Sequence, residues 1–378
     1  MKKSIYWVDF SNNNPHFVNL AGLWMAEMGY QLKGYVTLRD GFTGHHEFNK
    51  SVVSIPFKPI AGLGFCMKWL MALNIGCLFI RSLIAVKLNR IEGIVYTSSW
   101  RYPKLDELYV YVAKASKIRV VLLFHEVTHS KNSSSSAAIC KIVNYCDVLF
   151  SMSEHSRREI ARAIKIDHDR ILVTQHPHYG PLFNSILVDE HFRNELKVWL
   201  DGRSLLLFPS TVSKKRGSHF IKGYVDQIIA KDLNYKLLVV GRDEDVALAD
   251  QLRMCEVKNP GVLKVLARRY TNEELKAALQ VSSYVVLPYT DVMQSGVCPL
   301  ALGEGVPVIA SKFGSFVEII EPFVNGVLVE VNELSQLSSM SLDRLNSSGI
   351  DIGLVRGSLD DHYCGRRFVN DLVTALKI

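Results

Sequence analysis

The chain has 378 residues, 48% hydrophobic and 21% charged, with a formal net charge of +7 at pH 7. That length exceeds one ordinary core and suits two domains, and the composition excludes a disordered chain. The excess charge is confined to one half: residues 1–190 carry 22 Lys and Arg against 15 Asp and Glu, whereas residues 191–378 carry 22 against 22.

Met1 to Asp9 turns polar too early for a secretory leader and reads as a first strand. Asn14-Pro15 then supplies a cap and first-turn proline for a helix that Gly29 ends. Further strands are expected at Tyr35–Leu38, Val52–Ile55, Ile94–Thr97, Val120–Phe124, Val148–Met152 and Ile171–Thr174. Past a Pro/Gly/His-rich break between Pro177 and Asp201, the pattern resumes at Leu205–Phe208, Lys236–Val240, Val262–Leu266, Tyr284–Leu287, Val306–Ala310 and Val327–Val329. Strands alternating with amphipathic stretches predict an α/β protein with two doubly wound parallel sheets. The expected domains are 1–180 and 181–360, with a last helix at about 361–378 packing back on the first. Such sheets bind ligands at the carboxyl ends of their strands, which places the expected site in a cleft between the domains.

Ile60 to Leu88 is strongly apolar, and Trp69–Ile80 carries no charge. Twelve uncharged residues are short for a bilayer span. An in-plane membrane helix, an acceptor-binding helix and a core helix all fit. The basic half suits an anionic membrane surface or a diphosphate-linked acceptor. Nucleic acid is not expected, since no binding motif or aromatic-basic platform is present. The seven cysteines form no CxxC pair and are odd in number, which suggests neither a zinc site nor a disulfide framework and fits a cytoplasmic protein.

Three loops carry candidate chemistry. Pro288 to Val297 passes Ser295-Gly296 into a helix start at Val297, where free N–H groups favour a phosphate. Pro209 to Gly217 sets Lys214, Lys215 and Arg216 before a glycine and a helix, a fit for a diphosphate. Phe124-His125-Glu126-Val127-Thr128-His129 ends a strand with groups able to take a proton from a sugar hydroxyl. Asn12, Asn13 and His16 lie in the first strand-to-helix loop, on the same expected acceptor side. Asp243-Glu244-Asp245 and Asp167-His168-Asp169 mimic a metal-binding DxD but read as polar loops, and no metal or other cofactor is expected.

The second half resembles the donor-binding domain of family 4-type glycosyltransferases, which have the GT-B fold of two facing Rossmann-like domains. Gly305-Val306-Pro307-Val308-Ile309-Ala310-Ser311 matches that family's signature, as do Gly314 to Glu318 and Asn325-Gly326. The resemblance implies a nucleotide-sugar donor, UDP- or GDP-linked. It places Arg216-Gly217 at the diphosphate step, Gly241, Arg242 and Tyr270 near the nucleobase, and Glu318 near the nucleotide or sugar. The family's additional arginine falls on Thr211. The paired glutamates of retaining members fall on Val292 and Leu300, with Asp291 one position off. A β-mannosyltransferase-like bacterial subgroup fits better, through Ser295-Gly296…Ala301-Leu302, the His125-Glu126…His129 stretch and the Gln175-His176-Pro177-His178-Tyr179 turn. The expectation is therefore a hexosyltransferase making bacterial surface polysaccharide or glycolipid on a lipid-linked or oligosaccharide acceptor. Inversion is preferred, with Glu126 as base and His125 next. The expected location is the cytoplasm, with peripheral contact through 60–88 at the inner face of the plasma membrane. The alternatives are a sugar-nucleotide epimerase of the same fold and a catalytically silent binding protein.

Overall fold

The computed structural model describes residues 4–9, 15–36, 52–53, 76–77, 79–88, 93–98, 103–124, 133–291, 295–335, 355, 357–359, 363 and 365–377. The chain divides into two compact units, 1–177 with 365–378, and 178–364.

The first unit is built on a seven-stranded parallel sheet, β1 (Ser4–Asp9), β2 (Gln31–Val36), β3 (Val52–Val53), β4 (Gly93–Ser98), β5 (Arg119–Phe124), β6 (Val148–Ser151) and β7 (Ile171–Val173), in the order β3-β2-β1-β4-β5-β6-β7. β5 is buried from Val120 to Phe124, as expected of a central parallel strand covered on both faces. β2 begins earlier than Tyr35 because Lys33 disguises it. The Lys33 ammonium lies 5.4 Å from the centre of the Tyr6 ring on β1 and donates to its hydroxyl at 3.3 Å. The helix Pro15–Glu27 stops before Gly29, whose φ of +84° is the left-handed turn glycine permits.

The helix Gly365–Leu376 belongs to this first unit. A Cβ at Gly365 would stand 2.1 Å from the Trp24 indole, so only glycine allows the approach. Phe368 meets Phe17 edge-on at 5.8 Å, Arg366 pairs with Glu27 at 2.9 Å, and Asp371 accepts from Thr174 Oγ1 at 2.8 Å.

The second unit carries a six-stranded parallel sheet, β8 (Ser204–Phe208), β9 (Tyr235–Val240), β10 (Leu263–Leu266), β11 (Ser282–Leu287), β12 (Val308–Ser311) and β13 (Gly326–Val329), in the order β10-β9-β8-β11-β12-β13. Its core joins Leu206, Phe208, Leu237, Val239, Val286 and Ile309 of the sheet to Ile221, Val225 and Leu252 of flanking helices. β12 starts at Val308 rather than Val306 because Pro307 has no N–H to give the ladder; its carbonyl instead accepts from Val285 at 3.0 Å. The helix Asn272–Gln280 opens with the expected capping box, Thr271 with Glu274.

Among the described residues no helix is long and apolar enough to cross a membrane. Of the apolar 60–88 stretch, residues 76–77 and 79–88 are helical and the remainder lies outside the described residues. Ser82 and Val86 are buried, while Ile80, Ile84 and Leu88 are 58%, 51% and 77% exposed. These three are spaced four apart and share one face of the helix.

Candidate functional site

In a parallel sheet every strand delivers its following loop to the same edge. In the second unit that edge gathers the loops after β8, β9, β11 and β12, and backbone contacts draw them together. The β8 loop closes into a short 3₁₀ turn, Lys214–Arg216, ended by Gly217 at φ +75°. A Cβ there would lie 1.9 Å from the Pro288 carbonyl oxygen. Glycine is therefore required twice over, by its backbone conformation and by the close passage of the β11 loop. The Lys215 carbonyl accepts from the amides of Thr290 and Asp291 at 2.9 and 3.3 Å, which fixes the cationic turn to that second loop.

Gly241 holds the β9 loop in the same way, since its Cβ would stand 2.0 Å from the Ser210 carbonyl oxygen. Val212 donates to the Arg242 carbonyl at 2.8 Å. Gly241 is buried, and this packing accounts for the glycine. The Asn325-Gly326 pair is likewise a folding device. Asn325 accepts from Glu321 N at 2.9 Å and donates to the Ile319 carbonyl at 3.2 Å, and a Cβ at Gly326 would meet the Val308 carbonyl at 2.2 Å.

The three cations of the β8 turn have different surroundings. Lys214 and Lys215 are exposed, and Lys215 pairs with Asp291 at 3.4 Å. Arg216 is half-buried and has no carboxylate partner among the described residues. Its guanidinium carbon lies 4.6 Å from the centre of the Tyr289 ring. Tyr289 is fully buried, and its hydroxyl donates to Ser210 Oγ at 2.9 Å. Ser311 Oγ donates to the Tyr289 carbonyl at 2.6 Å, and Phe316 meets the ring at 5.4 Å. Burial pushes the Tyr289 phenol up, while the Arg216 charge and the Ser210 hydrogen bond oppose that rise.

Ser295 is buried and lies near the Tyr289 hydroxyl without hydrogen-bonding geometry. The hydroxyls of Ser295 and Ser315 are buried and have no hydrogen-bond partner among the described residues. An unpaired buried hydroxyl costs stability, so these are groups a bound molecule could satisfy. Gly296 leaves room for the buried Tyr179, whose hydroxyl oxygen would be 2.9 Å from a Cβ. Val297 opens the helix Val297–Gly303.

Tyr270 is partly buried. Burial pushes its phenol up to about 12, Tyr289 adds to the rise, and Arg242 opposes it. Arg242 and Glu318 are exposed. Leu300, at one glutamate position of the retaining pattern, is a buried helix residue, and Asp291 is occupied by Lys215. Val292, His125, Glu126, His129, Asn12 and Asn13 lie outside the described residues, as does the side chain of His16 in the first turn of Pro15–Glu27.

Both DxD look-alikes have structural work. Asp245 caps the helix Val246–Lys258 through Leu248 N at 3.1 Å, and Asp243 pairs with Arg253 at 3.4 Å. Asp167, His168 and Asp169 are exposed with ligand atoms within 4.8 Å of one another, and Asp167 accepts from Asp169 N at 3.0 Å.

Residues 203–345 match the family model described as glycosyl transferases group 1. Solved structures resemble the whole chain. A glycosyltransferase from Rickettsia africae superposes with a TM-score of 0.71 at 15% identity, covering 100% of this chain and 98% of its own. Anabaena HepE in complex with UDP-glucose gives 0.67 at 14%, covering 98% and 99%. The catalytic domain of Arabidopsis thaliana starch synthase IV, bound to ADP and acarbose, gives 0.72 at 10%, covering 100% and 99%. The fold is GT-B. No curated protein sequence matches the chain significantly. The last two neighbours hold different nucleotides, so the GT-B fold by itself does not select a base.

The sequence singled out Lys215, Arg216 and Ser295-Gly296, and the structure gathers them on one sheet edge. It did not single out Tyr289, Ser210 or Ser315. Tyr289 follows the strand-ending Pro288 directly, where an aromatic residue is easily read as core. Ser210 and Ser315 are single hydroxyls in loops and carry no spacing signal.

Proposed function

We propose that the protein is a glycosyltransferase that moves a sugar from a UDP- or GDP-linked donor to a lipid-linked glycan acceptor. The observation that carries this reading is that Tyr289 is neighboured both by Arg216, a half-buried cation without a carboxylate partner among the described residues, and by Ser295, whose buried hydroxyl has no hydrogen-bond partner among them. An anion is what such a pair lacks. In transfer, negative charge grows on the departing nucleoside diphosphate. Arg216, Lys215 and the amides around Ser295–Val297 stabilise it there. Tyr270 and Arg242 offer a ring and a cation to the base, and Glu318 stands by the sugar or ribose. Glu126, with His125 next, takes the proton from the attacking hydroxyl of the acceptor, and Asn13, His16 and His129 hold the acceptor. The acid-base role suits inversion, since neither glutamate position of the retaining pattern holds an acid.

The exposed Ile80, Ile84 and Leu88, with the exposed cations Arg81 and Lys87 beside them, suit an in-plane contact with an anionic membrane carrying the acceptor. Binding to anionic vesicles that Ile84→Glu abolishes would support this contact, and equal binding by both proteins would remove it.

The function is tested first by thermal shift with UDP, GDP, ADP and their sugar conjugates. A ligand at about 100 times its Kd stabilises the native state by about 2.7 kcal/mol. No shift with any of them would overturn the reading. Turnover of a donor without acceptor would indicate an epimerase, and binding without transfer to any acceptor a silent relative. Glu126→Gln is expected to lower turnover by about 10²–10⁴-fold while donor binding survives.

A further inference from the structure

Among the described residues, the side-chain contact that holds Arg216 is the Tyr289 ring. Its guanidinium lies over the face of Tyr289, and no carboxylate among the described residues fixes its direction. A long cation on a loop has many rotamers, and ordering it on binding costs about 2 kcal/mol of side-chain entropy. A ring fixed beneath the guanidinium removes much of that freedom in advance. Tyr289 is itself held at three points: its hydroxyl bonds Ser210, its backbone carbonyl accepts from Ser311, and its ring packs 5.4 Å from that of Phe316 at a tilt of 53°. Ser210 also packs on Gly241, so the tyrosine ties the loops after β8, β9, β11 and β12 into one rigid group.

We propose that Tyr289 is a positioning residue that aims Arg216 at the diphosphate of the bound nucleotide. The ring does this and the hydroxyl only anchors the ring. The inference rests on the donor-binding reading above and goes beyond it in assigning the tyrosine. A purely structural Tyr289 would lower stability without any coupling to Arg216, and this difference makes the idea testable.

The experiment is a double-mutant cycle on Arg216→Ala and Tyr289→Leu, read as the Kd of UDP, GDP and ADP by calorimetry, with circular dichroism to check folding. Arg216→Ala is expected to weaken the tightest of these ligands about 30-fold and Tyr289→Leu about 10-fold, as for a charge-assisted bond lost or left loose. The double variant should bind no more weakly than Arg216→Ala alone. Tyr289→Phe, which keeps the ring, should stay within about threefold of the unmodified protein. Should Tyr289→Leu fail to fold, Arg216→Lys serves instead. It keeps the charge but not the stacked plane, and about a 10-fold loss is expected. Independent, multiplying effects of the two substitutions, unchanged binding by Tyr289→Leu, or unchanged binding by Arg216→Lys would overturn the positioning role while leaving donor binding intact. If the unmodified protein binds none of the three diphosphates, the donor-binding reading fails and this inference fails with it.

Discussion

The two units share the strand order of a doubly wound sheet, yet they place their buried polar groups differently. In the first unit the polar side chains join helix to helix and helix to sheet. Tyr96 of β4 hydrogen-bonds Asp106 of the helix Pro103–Ala115, Tyr96 stacks on Tyr109 at 5.4 Å, and the Tyr109 hydroxyl meets Ser82 Oγ at 3.0 Å. In the second unit the corresponding cluster, Tyr289 with Ser210, Ser311 and Arg216, sits at the carboxyl edge of the sheet, where the loops emerge. The first network runs from a strand through two helices. The other ends in the Arg216 guanidinium and the hydroxyls of Ser295 and Ser315, which among the described residues have no carboxylate or hydrogen-bond partner respectively. Topology alone does not assign a role to either unit.

Substitutions can break or sharpen this contrast. Gly217→Ala should have the largest effect, because a Cβ there collides with the Pro288 backbone and the residue holds a positive φ. A loss of about 2–4 kcal/mol in denaturant unfolding is expected, with nucleotide binding lost as well. A stable Gly217→Ala variant with normal binding would show that the two loops need not touch. Tyr96→Phe removes a partner from the buried Asp106 and should destabilise by about 1–3 kcal/mol. Nucleotide affinity should be unchanged, and a fall in affinity greater than the fall in stability would contradict the separation of the two networks. Ser210→Ala should cost about 1 kcal/mol in stability and leave binding within about threefold, since the ring remains packed.

Glu274→Gln should have the smallest effect. Its carboxylate bonds both guanidinium nitrogens of Arg268, at 3.0 and 2.6 Å, and the Thr271 amide, and the first of these chiefly holds its pKa below the usual value. A depressed native pKa gives stability that is present above the unfolded carboxylate value and lost as pH falls through the native one. Glutamine keeps the cap but not the charge. A deficit below about 1 kcal/mol is therefore expected at pH 7, shrinking as the pH drops below about 4. A deficit independent of pH would mean the ion pair contributes nothing.

Much of the fold was legible because parallel strands buried on both faces read as apolar runs, as at β5 and β8. β2 was misplaced where Lys33 interrupts the run, its charge accommodated by a neighbouring ring that no local pattern reveals. In the site, Arg216-Gly217 and Ser295-Gly296 were visible because glycine and charge mark loops. Tyr289 was not, because what distinguishes it from a core aromatic is a set of partners 73 to 79 and 22 residues away in sequence, namely Arg216, Ser210 and Ser311. Only the folded edge of the sheet brings those together.

The return of helix Gly365–Leu376 to the first unit has a consequence for biosynthesis. The second unit lies wholly within the chain between two parts of the first. During synthesis residues 178–364 emerge complete while the first unit still lacks its final helix. Until then Trp24 and Phe17 lack the glycine-faced helix that covers them, and Arg119 lacks the Ala375 carbonyl it bonds. The unit whose first strand is translated earliest is thus completed only after the second has been synthesised.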